Sequence, residues 1–201
     1  MRRNYRLLFG PLAAVILACG IAGLALLIPE YSHVRQTVSE IGEIGSPARV
    51  PFAVMLCCVA ACVLVFASAV WDLSIAEHHS PFAAYLIAFM ALSAVGVGVF
   101  AYPHPLHNVF GLSETIGYQA PLAFALIWRP NPRAKTLVAL SWIFFVLIWI
   151  AIALNLSFVV PSVWAYVKPV HGIAQRALFA AWFGWCALVG ALLFRESGKV
   201  P

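Results

Sequence analysis

Charged residues are scarce in this 201-residue chain, which has 12 Lys and Arg, 7 Asp and Glu, and a charged fraction of 9%. A soluble globular domain carries about 25% charged residues. Hydrophobic residues make up 64% of the chain, so the composition excludes an ordinary soluble domain. The apolar residues form several runs of about 20, whereas an outer-membrane barrel would show alternating segments of about 10. We therefore predict an all-α integral membrane protein.

Cysteine is also infrequent, and all five cysteines lie within apolar runs. In such surroundings cysteine behaves as a small hydrophobic residue, so no disulfide framework or thiolate metal site is indicated. The Lys and Arg residues are dispersed over termini and loops instead of forming one basic face. Despite the net charge of +5, the sequence therefore predicts no nucleic-acid partner.

Six apolar segments predict six transmembrane helices in a single domain spanning residues 1–201. Their predicted bounds are about 7–28, 47–71, 81–101, 106–128, 136–160 and 170–194. An even number of spans places both termini on one side of the membrane. That side carries eight Lys and Arg residues and the other carries three, so the positive-inside rule predicts cytoplasmic termini. The eight are Arg2, Arg3, Arg6, Arg129, Arg133, Lys135, Arg195 and Lys199, and the three are Arg35, Arg49 and Lys168.

Ionisable residues continue into an apolar segment in one place, the stretch from Tyr102 to Gln119. His107, Glu114 and Tyr118 are seven and four residues apart, so they share one face of a helix. An ionised carboxylate near mid-bilayer costs about 2.5 to 3.5 kcal/mol, so Glu114 should face protein or a water-filled cavity and have a partner. Arg176 on the sixth helix has a similar predicted depth, and we expect it to be that partner.

The predicted topology brings the loops after helices one, three and five to the outward side. Their polar residues should then converge on an outward-facing pocket between helices one, three, four and six. The converging residues are His33, Arg35, Ser39 and Glu40 from the first loop, His104 and His107 from the second, and His171, Gln175 and Arg176 at the start of the sixth helix.

Several interpretations of these residues stay open. Glu114 and Arg176 could be only a structural ion pair, and the histidines could cap helices or contact solvent. A zinc-dependent hydrolase acting on a lipid amide or ester is another possibility, with ligands His104, His107 and His171. Glu114 or Glu40 would be its general base, and Ser39 or Arg176 would stabilise an oxyanion.

We favour a pocket that binds a membrane lipid or another amphiphile, because binding needs no precise coordination geometry. Cationic and hydrogen-bonding side chains suit a lipid head group. The predicted head-group residues are His33, Arg35, Tyr118, Gln175 and Arg176.

The loop Tyr31-Ser-His-Val-Arg-Gln-Thr-Val-Ser-Glu-Ile-Gly-Glu-Ile-Gly-Ser-Pro47 and the later Tyr102-Pro-His-Pro-Leu-His107 resemble a prokaryotic multi-pass membrane family, domain of unknown function nine-nine-eight. The resemblance covers nearly the whole chain and implies a multi-pass protein of the prokaryotic cytoplasmic (inner) membrane. It implies no activity.

Two other groups resemble parts of this chain. Ser39, Glu40 and Gly42 are similar to the Ser-Asp/Glu-x-Gly loop of the Frag1, DRAM and Sfk1 group, which is associated with membrane lipid organisation and lipid-anchor remodelling. The serine and three histidines resemble the set of the ceramidase and adiponectin-receptor superfamily of membrane hydrolases. That pattern has seven helices, a membrane aspartate and a terminal His-x-x-x-His, none of which is predicted here.

Overall fold

The computed structural model describes residues 4–131 and 134–197, and these residues form an all-α structure of eight α-helices. The helices are α1 Phe9–Ala25, α2 Arg49–Ala76, α3 Phe82–Val99, α4 Pro105–Gly117, α5 Ala120–Trp128, α6 Lys135–Asn155, α7 Pro161–Val167 and α8 His171–Ser197. Short 3-10 turns lie at Tyr5–Leu8, Ser39–Gly42, Ser157–Val159 and Lys168–Val170.

Five helical stretches in the described residues are long and apolar enough to cross a membrane. They are Tyr5–Ala25, Arg49–Ala76, Phe82–Val99, Lys135–Asn155 and Pro161–Ser197. They correspond to five of the six predicted segments, and their large apolar side chains are widely exposed on the protein surface. The chain is thus a multi-pass membrane protein.

The fourth predicted segment is not one continuous helix, because α4 ends at Gly117 and α5 begins at Ala120. Pro121 lies in the first turn of α5, where it has no N–H to donate to the carbonyl of Gly117 four residues earlier. At 1.5 Å per residue, α4 and α5 are about 20 Å and about 14 Å long. Each is therefore too short to cross a bilayer alone, and the two together form the fourth segment.

The region between the fifth and sixth segments also differs from the prediction. Helix α6 ends at Asn155 instead of near residue 160, and residues 161–167, predicted as a connecting loop, form α7. Pro161 is the first residue of α7, a position where its missing N–H costs nothing. Pro161 therefore starts a short helix where a connecting loop was predicted.

Helices α1 and α8 pack closely where glycines face the partner backbone. A Cβ atom added to Gly10 would lie 2.6 Å from the carbonyl oxygen of Cys186, and one added to Gly190 would lie 2.5 Å from that of Leu7. Small residues of this kind let membrane helices approach each other. Further along, the buried indole of Trp185 donates to the hydroxyl of Ser141 over 2.9 Å and ties α8 to α6.

Two contacts show which ends of the helices meet. Arg6 forms an ion pair of 2.6 Å with Asp72, which joins the start of α1 to the end of α2. The N–H of Ile44 donates to the carbonyl of Tyr102 over 2.8 Å, so the loops after α1 and α3 meet at the other end. Which end faces the cytoplasm stays a prediction, and it rests on the distribution of basic residues. Four of these residues, Arg2, Arg3, Arg133 and Lys199, lie outside the described residues.

Candidate functional site

The polar loop between α1 and α2 is bound to the start of α8 by Arg176. Its Nη1 donates to the carbonyls of Gln36, over 2.8 Å, and Gly172, over 2.9 Å. Its Nη2 donates to the hydroxyl of Tyr31 over 2.7 Å, and that hydroxyl donates to the carbonyl of Thr37 over 2.6 Å. Burial raises the pKa of Tyr31, although the guanidinium opposes this change. Arg176 thus holds the loop against α8.

The same loop is fixed by two further side chains. The N–H of Val38 donates to Oε1 of Gln175 over 2.5 Å. Glu40 accepts from the N–H and the hydroxyl of Thr37, over 3.0 Å and 2.8 Å. Glu40, a candidate general base, therefore organises its own loop. Gln175 keeps its two amide hydrogens as donors, because the backbone N–H can bind only to the carbonyl oxygen.

His107 connects this loop to α3 and α4. Its Nε2 lies 3.0 Å from the hydroxyl of Ser39, and its Nδ1 lies 2.9 Å and 3.2 Å from the carbonyl oxygens of Phe100 and Val97. The side chain is buried, with 5% of its surface exposed. Both ring nitrogens of His107 thus have partners within the protein.

The three histidines of the predicted zinc site do not form one ligand set. His104 is exposed and caps α4, because its Nδ1 accepts from the N–H of Leu106 over 3.1 Å. His171 is the first residue of α8 and packs against the ring of Trp164 at a centroid distance of 5.0 Å. Within residues 4–131 and 134–197, no three His, Cys, Asp or Glu side chains are arranged to hold a metal ion. The proline-flanked position of His104 directs it into a cap instead.

Glu114 has a partner, but the expected one is wrong. Its Oε2 accepts from the hydroxyl of Tyr118 over 3.0 Å, and both side chains are buried. No ion pair within 4 Å joins Glu114 to Arg176. The guanidinium of Arg176 turns to the loop instead, and no cationic group of the described residues lies within 4 Å of the Glu114 carboxyl group.

A cavity of about 450 Å³ lies between α4, α6 and α8, beneath the loop that carries Ser39, and we refer to it as the α4–α8 cavity. It brings together six predicted site residues: Ser39, His107, Glu114, Tyr118, His171 and Gln175. Helix α4 supplies much of its polar lining, whereas α6 and α8 supply apolar side chains such as Ile152, Leu178 and Phe179.

A second cavity, of about 460 Å³, lies between α1 and α8, and we refer to it as the α1–α8 groove. It is mostly apolar, and His33 and Arg176 are its charged or titratable lining residues. Burial lowers the pKa of His33, and the charge of Arg176 lowers it further. Arg35, another predicted head-group residue, is exposed and lines neither cavity. The predicted head-group set is therefore divided between two cavities, and Phe179 lines both.

Sequence reasoning missed Asn155, which also lines the α4–α8 cavity. Its Nδ2 donates to the carbonyls of Ala151, over 2.8 Å, and Ala174, over 3.0 Å, and so joins the end of α6 to α8. An isolated asparagine at the end of an apolar run was the available signal, because a polar side chain there needs partners.

A family model described as "Protein of unknown function (DUF998)" matches residues 11–192. No curated protein and no solved structure matches the chain. The similarity of the Ser39 loop to the Frag1, DRAM and Sfk1 group therefore stays a prediction.

Proposed function

We propose that this chain, which belongs to the DUF998 family, binds a membrane lipid or another amphiphile in the α4–α8 cavity. The observation that carries this proposal is the carboxyl group of Glu114, which faces the cavity with one phenol as its polar partner. A buried carboxyl group within a membrane segment is costly, so its presence there usually marks a ligand or ion site.

The chemistry of the cavity suits an amphiphile. Helix α4 offers hydrogen-bonding groups along one side, and the apolar side chains of α6 and α8 line the other. A volume of about 450 Å³ lies within the range of small-molecule sites, roughly 300 to 1,000 Å³. A ligand with a hydroxyl or amine donor would bind Glu114, and its hydrocarbon part would contact Leu178 and Phe179.

The α1–α8 groove also supports lipid binding, because the positive charge of Arg176 lies in its lining. Arg176 donates to neutral oxygen atoms and has no carboxylate within 4 Å, so its positive charge is not neutralised by a described residue. An anionic lipid group beside Arg176 and His33, with its chain along α1, would supply the missing charge. We propose this groove as a second contact for lipid.

The proposal is tested by native mass spectrometry of protein purified in mild detergent, with retained lipid as the readout. Leu178→Trp fills the α4–α8 cavity and should lower retention strongly, whereas Leu178 does not line the α1–α8 groove. Leu188→Trp, on the exposed side of α8, is its matched control and should leave retention unchanged. Glu114→Gln should weaken retention, whereas Glu30→Gln in the exposed loop should not.

The folded state of each variant is checked by its thermal unfolding temperature. Equal lipid retention by the wild type and by folded Leu178→Trp and Glu114→Gln would refute binding in this cavity. Loss of lipid in both variants with retention in both controls would support it.

A further inference from the structure

The hydroxyl of Ser39 and the imidazole of His107 form a hydrogen bond of defined direction. Carbonyl oxygens only accept hydrogen bonds, so the imidazole nitrogen that faces the carbonyls of Phe100 and Val97, Nδ1, must carry the hydrogen. In the neutral ring Nε2 then has a free lone pair, and the Ser39 hydroxyl, 3.0 Å away, donates to it. This is the tautomer that a general base requires.

We infer that Ser39 is a nucleophile activated by His107, and that the chain transfers the acyl group of an amphiphile ester to water. The inference rests on the proposed function, because the substrate occupies the α4–α8 cavity. Three elements needed for such activation are present: a hydroxyl group, a base within hydrogen-bond reach, and a third group that orients the base. The carbonyl of Phe100, 2.9 Å from Nδ1, is the orienting group.

The location of the pair supports a chemical role. A serine and histidine that only fastened the loop could be sealed from any ligand, yet both line the α4–α8 cavity. Ser39 itself is half-buried and is one of the lining residues of that cavity. The apolar lining beside it would hold the hydrocarbon part of the ester.

Gln175 supplies a hydrogen-bond donor close to the nucleophile. Its Oε1 is held by the N–H of Val38, the residue before Ser39, and its Nε2 donates to no described residue. Gln175 also lines the cavity. An amide donor fixed in this way can stabilise the oxyanion that forms when a carbonyl is attacked.

The reaction proceeds in two balanced steps. Oγ of Ser39 attacks the ester carbonyl carbon while Nε2 of His107 takes the hydroxyl proton, and the negative charge collects on the former carbonyl oxygen beside Nε2 of Gln175. The C–O bond of the ester then breaks, His107 gives its proton to the leaving alkoxide, and an alcohol departs. Water, deprotonated by His107, attacks the acyl-serine, and its breakdown releases the carboxylic acid and restores both residues.

The test is covalent labelling of purified, full-length protein by two fluorophosphonates, one with a short and one with a long alkyl chain. Peptide mass spectrometry should locate the adduct on Ser39, and the wild-type result needs no variant to fold. Ser39→Ala should give no adduct, and Ser113→Ala, the matched serine control, should be labelled like the wild type. Ser113 serves as the control because its hydroxyl bonds to Ser93 and the Phe110 carbonyl, away from the cavity lining.

His107→Gln removes the base and keeps a hydrogen-bonding side chain, so labelling should slow by at least about 100-fold. His104→Gln, at the exposed cap, should label within about twofold of the wild type. Treatment with a metal chelator should leave the rate unchanged, whereas a zinc hydrolase would lose ester turnover. No adduct on Ser39 from either probe, or equal labelling of wild type and folded His107→Gln, would overturn the inference.

The lipid-retention measurement separates this inference from the proposed function. Retained lipid without labelling would refute the nucleophile and leave the binding site in place. Labelling of Ser39 without lipid retention would refute an amphiphile as the ligand of the cavity. The activation of Ser39 by His107 would still stand.

Discussion

The indole Nε1 of Trp182 donates a hydrogen bond of 3.2 Å to the carbonyl oxygen of Gly117. In a continuous helix that oxygen would accept from the N–H of residue 121, which is a proline. The break between α4 and α5 is therefore stabilised by a side chain of α8, and the freed carbonyl does not stay unpaired in the protein interior.

The first prediction tests whether the indole of Trp182 replaces the N–H that Pro121 lacks as the hydrogen-bond donor to Gly117. Trp182→Phe should lower the free energy of unfolding by about 1 to 3 kcal/mol, because it leaves a buried carbonyl unpaired. In a Pro121→Ala background, the alanine N–H can bond to Gly117, so the same change should cost less. Unfolding in mixed micelles with increasing denaturing detergent gives the values. The control is Trp142→Phe, at an indole that is 40% exposed. Equal losses in both backgrounds would show that Trp182 acts through packing alone.

Hydropathy and spacing predict much of this architecture. Five of the six apolar segments are single long helical stretches, and His107, Glu114 and Tyr118 lie on one buried face of α4 and its C-terminal cap, as their spacing predicts. Depth along a helix can also be estimated from sequence, since each residue adds about 1.5 Å.

The partners of the charged groups could not be predicted in the same way. The predicted depths of Glu114 and Arg176 are similar, but which way a side chain turns about the helix axis depends on how the helices and loops pack together. Gly172 lets the loop after α1 lie directly on α8, and this contact brings backbone carbonyls to Arg176. The same docking of the loop places the hydroxyl of Ser39 beside the imidazole of His107. No local sequence pattern reveals this contact.

The second prediction concerns the independence of Glu114 and Arg176. Glu114→Ala removes the partner of Tyr118, and Arg176→Gln removes the donors to Gln36 and Gly172. The two sets of contacts share no group, so the losses in unfolding free energy should add within about 0.5 kcal/mol in the double variant. The same detergent titration measures all three variants. A double-variant loss smaller than the sum by more than about 1 kcal/mol would indicate direct coupling of the two charges.

The third prediction concerns orientation and follows from the bias of eight to three in basic residues. In a background with the five native cysteines replaced by alanine, Ile44→Cys should react with a membrane-impermeant maleimide on intact cells. Ser80→Cys, in the loop between α2 and α3, should react only after the membrane is permeabilised. Both positions are exposed, so access to reagent and not burial decides the outcome. Reaction of Ser80→Cys on intact cells would reverse the predicted orientation.

The last prediction tests how the loop is held on α8. A Cβ atom on Gly172 would overlap the carbonyl oxygen of Gln36 and lie 2.6 Å from that of His33, so Gly172→Ala must displace the loop. The loop carries Ser39, and Gln36 is an acceptor of Arg176, so both contacts should weaken together. We expect faster hydrogen exchange across residues 31–42 and a loss of about 1 to 3 kcal/mol in unfolding free energy.

Gly23→Ala is the matched control, because an added Cβ on this α1 glycine meets no atom within 4 Å. Alanine there should be neutral or stabilising by up to about 1 kcal/mol, since it reduces the freedom of the unfolded chain. If Gly172→Ala leaves exchange in the loop unchanged, the loop does not depend on close backbone contact at Gly172, and the side chains of Arg176 and Gln175 are sufficient to hold it on α8.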